Sequence, residues 1–206
     1  MTTLFQQLAS DFKFHAQLKC IKNDAAFFDR AMLSLRSRGL WFSLFYRIIH
    51  FSSQKKNVLS VKWWVMRLLE IPAIYLSAVT CKCVVLGDCE IEAGVYLPDA
   101  GHLMCGALAI GGGSIIHDHV TLGLAVAGKK PGRPRIGKNV WVGPNCIIAG
   151  GLEIGDGATI LPGTYLTTSV PAGAVVRGNP ARVVQKNFDN SEIRRSLAIV
   201  EDIAKA

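Results

Sequence analysis

Residues 114–123 read SIIHDHVTLG, so two imidazoles flank a carboxylate at His117-Asp118-His119 inside a half-apolar stretch. Asp99 and His102 precede them in LPDAGHL (97–103). An imidazole titrates near neutral pH, so it can take a proton from a hydroxyl and return it within one cycle. A carboxylate beside it favours the charged form that arises in between. His102, His117 and His119 together also meet the ligand count of a catalytic zinc site. Proton transfer and metal binding are therefore the chemistries these residues admit. The bland alternative is a surface histidine pair with no chemistry.

The surrounding repeat decides where these residues stand. An aliphatic residue recurs every six positions at Val85, Ile91, Leu97 and Leu103, and after a one-residue slip at Ile110, Ile116 and Leu122. Following an eight-residue insertion it resumes at Ile136, Val142, Ile148, Ile154, Ile160 and Leu166. The fourth residue after most of these is small or aliphatic, as at Cys89, Ala107, Ser114, Val140 and Cys146. A period of six fits neither a helix nor a meander. It fits short strands joined by turns and wound into a parallel β-helix, three hexads per coil. The aliphatic residue then points inward and stacks on its equivalent about 4.8 Å away. Glycine directly after it, as at Gly111, Gly137, Gly143 and Gly155, is expected to supply a positive φ at the bend.

Winding the repeat stacks Leu97, Ile116, Val142 and Ile160. Pro98-Asp99, His117-Asp118, Gly143-Pro144 and Leu161-Pro162 then share one edge. The histidines thus stand on a turn, where polar groups need not be desolvated. Tyr96, Ile115 and Trp141 fall on the outward side just before that edge. They are expected either in a subunit interface or against a bound ligand.

Half of the 206 residues are hydrophobic, which excludes a disordered chain. The net charge of +8 is uneven: residues 1–80 hold eleven Lys/Arg against four Asp/Glu, and the remainder is nearly balanced. No nucleic-acid motif accompanies the basic part. Its helical periodicity (Leu4, Phe5, Leu8, Phe12, then Phe27, Phe28, Met32, Leu35) predicts amphipathic helices. The opening MTTLFQQLAS does not read as a signal peptide. The apolar stretch 61–80 is broken by Lys62, Arg67, Glu70 and Pro72 and is not expected to span a membrane. Trp41, Trp63, Trp64, Arg47, Lys55 and Lys56 would suit peripheral contact with an inner membrane face, or simply a helical core. The six cysteines form no CxxC pair and are read as reduced, mostly buried thiols. The expected layout is a helical region over 1–80, a β-helix over 81–184 with a loop at 125–135, and a final helix within 185–206. Asn190 or Ser191 would cap that helix.

HVTLG (119–123), the slip before Ile110, PRIGKNVWVGPNCII (134–148) and SVPAGAVVRGNPARVV (169–184) resemble the hexapeptide-repeat acyltransferases. The chain is most similar to their serine acetyltransferase-like branch, and within it to bacterial polysaccharide O-acetyltransferases. The resemblance covers roughly residues 23–184. It implies a mainly β fold: a left-handed parallel β-helix with an N-terminal helical region and a C-terminal helix. It also implies a cytoplasmic homotrimer that uses acetyl-CoA as co-substrate without a metal. A histidine at a subunit edge would act as general base, with turn N–H groups holding the oxyanion. The acceptor implied is a sugar hydroxyl of a cell-surface glycan or its precursor. Alternatives are acetylation of a small molecule in the manner of serine acetyltransferases, a γ-carbonic-anhydrase-like zinc enzyme, and a catalytically silent scaffold.

The family's base aligns with Asp99, and its second histidine with Arg133. The base is therefore placed at His117, with Asp99 orienting it and His119 and His102 in reserve. Trp141, Gly123, Gly143, Pro144, Pro162 and Lys129 are the expected contacts of acetyl-CoA. Lys129, Lys130, Arg133 and Arg135 of the loop are available to CoA phosphates or an acidic glycan.

Overall fold

The inward positions of the repeat make a dry core. Ile110, Ile116, Val142, Ile148, Ile160 and Leu166 are fully buried, and Cys89, Ala107, Ser114, Val140, Cys146 and Ala158 fill the space between them. The computed structural model describes residues 4–18, 37–54, 68, 83–85, 89–98, 102–125 and 131–195.

Among the described residues, five coils follow one another. The first holds β1 (Cys83–Val85), β2 (Glu90–Ile91) and a single bridge at Tyr96. The second holds β3 (Leu103–Cys105), β4 (Ala109–Ile110) and β5 (Ile115–Ile116). The third holds β6 (Val120–Gly123), β7 (Arg135–Ile136) and β8 (Trp141–Val142), and the fourth β9 (Ile147–Ala149), β10 (Glu153–Ile154) and β11 (Thr159–Ile160). The fifth holds β12 (Tyr165–Leu166), a bridge at Val170 and β13 (Val175–Arg177), after which β14 (Arg182–Gln185) turns back. Equivalent strands pair in parallel and form three sheets: β1-β3-β6-β9-β12, β2-β4-β7-β10 and β5-β8-β11-β13, the last closed by antiparallel β14. This is a mainly β, parallel β-helix. The predicted stack holds in register, with Ile116 opposite Val142 and Val142 opposite Ile160.

Two details differ from the sequence expectation. The slip lies earlier than placed, because Cys105 rather than Leu103 pairs with Leu122, and Leu103 pairs with Val120. The added residues thus fall between Leu97 and Cys105, and Leu103 is buried in the small-residue row. The second detail concerns glycine. Positive φ occurs three residues after the aliphatic position, at Gly94, Gly113, Asn139, His119, Asn145 and Gly163. Gly111, Gly137, Gly143 and Gly155, directly after it, are instead required by close approach of the next coil. A Cβ on Gly111 would stand 2.6 Å from the Gly137 backbone, and one on Gly155 2.4 Å from Ala172 N. Gly155→Ala is therefore expected to destabilise the fold by about 1–3 kcal/mol. Gly123→Ala, with nothing within 4 Å of the added carbon, should stay within about 0.5 kcal/mol of the parent. Paired urea melts read the difference.

Among the described residues, α1 (Leu4–Leu18) and α2 (Arg38–Gln54) cover the start of the coil. The face that α1 buries is not the predicted apolar stripe. Asp11, His15 and Leu18 are buried, while Leu8 and Phe12 are half-exposed. Asp11 makes this face viable by pairing with Arg47 of α2, Nε to Oδ2 at 3.1 Å and a second guanidinium nitrogen to Oδ1 at 3.2 Å. Ser43 Oγ and the Gly94 backbone N–H also donate to that carboxylate. Arg47 in turn donates to the carbonyls of Ile91 at 2.8 Å and Glu92 at 2.9 Å. The Tyr46 hydroxyl donates to the Cys89 carbonyl and accepts the Ile91 N–H at 3.0 Å. Burial pushes the Tyr46 phenol up to about 12. Arg47 is thus a buried structural cation, 4% exposed, and not part of a membrane-facing surface. Among the described residues no helix is long and apolar enough to cross a membrane. Trp63, Trp64, Lys55, Lys56 and the segment 27–35 lie outside the described residues.

The C-terminal helix starts at 191 and is described to 195. Neither predicted residue caps it with its side chain. Asp189 accepts the Ser191 N–H and hydroxyl, each at 3.0 Å. Asn190 turns inward and donates to the carbonyls of Asn139 and Gly157, fastening the helix to the coil.

Candidate active site

The third sheet leads into the first through a column of turns at 117–119, 143–145 and 161–163. Each turn hangs on the next: His117 N–H donates to Val142 O at 3.0 Å, Gly143 N–H to Ile160 O at 2.9 Å and Gly163 N–H to Pro144 O at 3.0 Å. The last residue of each turn is left-handed, with φ of 55° at His119, 58° at Asn145 and 70° at Gly163. A histidine in that region carries a backbone cost that glycine would not. The column brings His117, Gly143, Pro144 and Pro162 to one edge, as the repeat predicted.

The three histidines point to different surroundings. His117 is half-buried, with Nε2 shut off from solvent, and its ring meets Trp141 edge-on at 5.0 Å between centroids and 63° between planes. His119 is 51% exposed, and its Nδ1 lies 3.0 Å from Asp118 Oδ2. His102 is exposed, its ring 6.3 Å from that of His119. Among the described residues no group of three His, Cys, Asp or Glu is placed to hold a metal ion. The arrangement offers two separate imidazoles for proton transfer: one walled by an indole, one paired with a carboxylate. That second pairing was open to view in the sequence as adjacent residues, but only the turn geometry brings the two side chains together.

The remaining candidates are placed as follows. Asp99 and Lys129 lie outside the described residues. Gly123 ends β6 on the far side of the first sheet, where its carbonyl accepts the Gly150 N–H at 3.2 Å, so it does not share the histidine edge. The loop root is closed by Ala125 and Gly132, which exchange two backbone hydrogen bonds. Arg133 donates to the carbonyls of Gly106 at 2.8 Å and Ala107 at 2.6 Å, so its guanidinium is committed to the second coil at least in part. Arg135 faces solvent on the second sheet. Beside it runs a groove of about 430 Å³, floored by Ala109, Gly111 and Gly137 and lined by Glu92, Glu153 and Lys138, and none of the histidines lines it. Cys89 and Cys105 lie buried with sulfurs 3.8 Å apart, and that contact together with burial pushes the Cys89 thiol far up. Cys146 is also a buried free thiol. These sulfurs belong to the core.

The fold and this edge define a hexapeptide-repeat β-helix with imidazoles at its turns. Residues 133–168 match the family model described as bacterial transferase hexapeptide (six repeats). Over 58 residues the chain is 43% identical to a chloramphenicol acetyltransferase of Agrobacterium fabrum, 28% of each protein. It is 36% identical over 59 residues to a 2,3,4,5-tetrahydropyridine-2,6-dicarboxylate N-acetyltransferase of Staphylococcus aureus, 29% of this chain and 25% of that one. These matches span under a third of the relatives' length. Among solved structures, the serine acetyltransferase of Neisseria gonorrhoeae in complex with serine superposes with a TM-score of 0.69 at 21% identity, over 88% of this chain and 69% of that one. The soybean serine acetyltransferase apoenzyme gives 0.69 at 24% identity, over 88% and 69%. The chain has the fold of these enzymes.

Proposed function

We propose that the protein transfers an acetyl group from acetyl-CoA to a hydroxyl of a small-molecule acceptor, with His117 as general base. The observation that carries this reading is the place of His117. It stands on a stacked turn edge, in a fold shared with serine acetyltransferases, where the coil above has Gly143. His117, through Nδ1 and not the enclosed Nε2, takes the proton of the acceptor hydroxyl as its oxygen attacks the thioester carbonyl carbon. The C–S bond then breaks, and the CoA thiolate recovers the proton from the imidazolium. Pro144 and Pro162 are the compact residues of the edge along which a pantetheine arm would lie. Lys129 and Lys130 are the cations the loop sequence offers to its phosphates.

The named relatives act on chloramphenicol, tetrahydropyridine dicarboxylate and serine. They favour a small acceptor over the cell-surface glycan that the resemblance suggested. Self-association is supported by the outward ladder of the first sheet, where Val84, Met104, Ile147 and Tyr165 are 53%, 59%, 45% and 38% exposed. The second sheet presents charges instead, and α1 covers the third. A homotrimer built on the first sheet would bury this stripe.

Calorimetric titration with acetyl-CoA, followed by chromatographic assay of free CoA against serine, chloramphenicol and a sugar panel, tests the proposal. Saturable binding and hydroxyl-dependent CoA release are expected, from a species three times the chain's 22.3 kDa. A folded protein that binds no acetyl-CoA would overturn it.

A further inference from the structure

We infer that Trp141 is a positioning residue that sets the orientation of the His117 imidazole, and that α1 is the back wall of this device. The inference rests on the reading of His117 as the base. Trp141 stands on the outward row of the third sheet, between Ile115 and Thr159, and Ile115 bridges to Tyr96. This row was expected to meet a second subunit or the cofactor. Within the chain α1 covers much of the row: Ile115 and Thr159 are fully buried and Tyr96 is 4% exposed. Phe14 and Leu18 of α1 pack with Tyr96, Ile115 and Trp141 in one apolar cluster. His15 of the same helix stacks on Tyr96 at 4.8 Å between centroids.

Pressed from that side, the indole extends along the strand toward the turn edge. Its Cζ3 lies 2.9 Å from where a Cβ on Gly143 would stand. The missing side chain of Gly143 is therefore the space into which the benzo ring projects. From there the ring meets His117 edge-on at 5.0 Å. An aromatic wall at this distance removes imidazole rotamers that a turn side chain would otherwise sample. A base held in one rotamer reaches the acceptor hydroxyl in a productive geometry, and small misplacements are costly. His119, half exposed at the end of the same turn, faces the His102 ring at 6.3 Å instead of an indole. The order of support runs from α1 through Trp141 to His117, and the reacting atoms never touch the indole.

Trp141→Leu, Trp141→Phe and His117→Gln, each compared with the parent, test this by kinetics and by NMR of histidine ring protons. The protein has five histidines, and His117→Gln assigns the relevant signal by its loss. Trp141→Leu is expected to lower kcat by about tenfold or more, with KM for acetyl-CoA changed by less than about twofold. It is also expected to move the His117 ring signal as the indole ring current is lost. Trp141→Phe, which keeps a flat ring against the Leu18, Tyr96 and Ile115 cluster, should restore most of kcat and is the variant to rely on if the leucine protein fails to fold. A raised KM with unchanged kcat would overturn the inference, because the indole would then be touching cofactor. So would an unmoved His117 signal in a folded leucine variant. If His117→Gln retains full turnover, the proposed base is wrong, and the NMR shift alone still reports whether the indole holds the ring.

Discussion

His117→Ala is expected to lower kcat for acetyl transfer by about 10²–10⁴-fold, the usual contribution of a general base. KM for acetyl-CoA should change little, since the imidazole acts on the acceptor proton and not on the cofactor. The fold should survive, because the side chain stands at a turn and the neighbouring Gly143 shows that this column accepts a residue with no side chain. His119→Ala is the informative comparison. Its imidazole is exposed, with Nδ1 within hydrogen-bond distance of Asp118 Oδ2 at 3.0 Å, so its loss is expected to cost far less than that of His117. If the order is reversed, the base is the carboxylate-paired imidazole and the turn, not the indole wall, is the catalytic unit. Should neither variant lose activity in a protein that binds acetyl-CoA, proton transfer falls to a group outside this edge.

Asp11→Ala is expected to destabilise the protein by about 3–5 kcal/mol, the range for breaking one side of a buried ion pair. The carboxylate is 1% exposed and gathers Arg47, Ser43 Oγ and the Gly94 N–H. Its removal strands a guanidinium that is itself 4% exposed and leaves the Gly94 N–H without this acceptor. Replacing both charges by apolar residues of similar size, Asp11→Leu with Arg47→Met, is expected to recover much of the loss, because the desolvation cost disappears with the charges. Urea unfolding of the two single variants and the double variant gives the coupling between them. If Asp11→Ala melts like the parent, the helical pair is not held to the coil by this contact.

The core was legible because one local rule repeats. Every hexad places its aliphatic residue inward, so an error at one position is corrected by the next. The register of Ile116, Val142 and Ile160 follows from counting alone. Counting failed where the rule is interrupted. Leu103 is as aliphatic as any inward residue, yet it occupies the row below, and Cys105 takes its place because extra residues enter after Leu97. The glycines were visible but their reason was not. A clash between Gly155 and Ala172 involves residues one coil apart, which sequence spacing does not measure. The helical layer was the least legible part. Asp11 looks like the polar face of α1 until Arg47, thirty-six residues on, and Gly94, eighty-three residues on, are brought to it. The histidine edge could be placed from the repeat, whereas the wall behind His117 needed the docking of α1.

A stack of equal rungs has no natural length, and nothing in a hexad says which rung is the last. Each end offers unpaired N–H and C=O groups to the end of another molecule, the condition for growth into a fibre. Among the described residues, part of the edge at each end is blocked by the chain itself. Tyr46 and Arg47 occupy backbone groups of Cys89, Ile91 and Glu92 at one end. At the other, β14 runs antiparallel along β13 with an irregular register that a further parallel rung cannot copy. The coil resembles a polymer whose length is the number of hexads between two such blocks, and no single hexad encodes it.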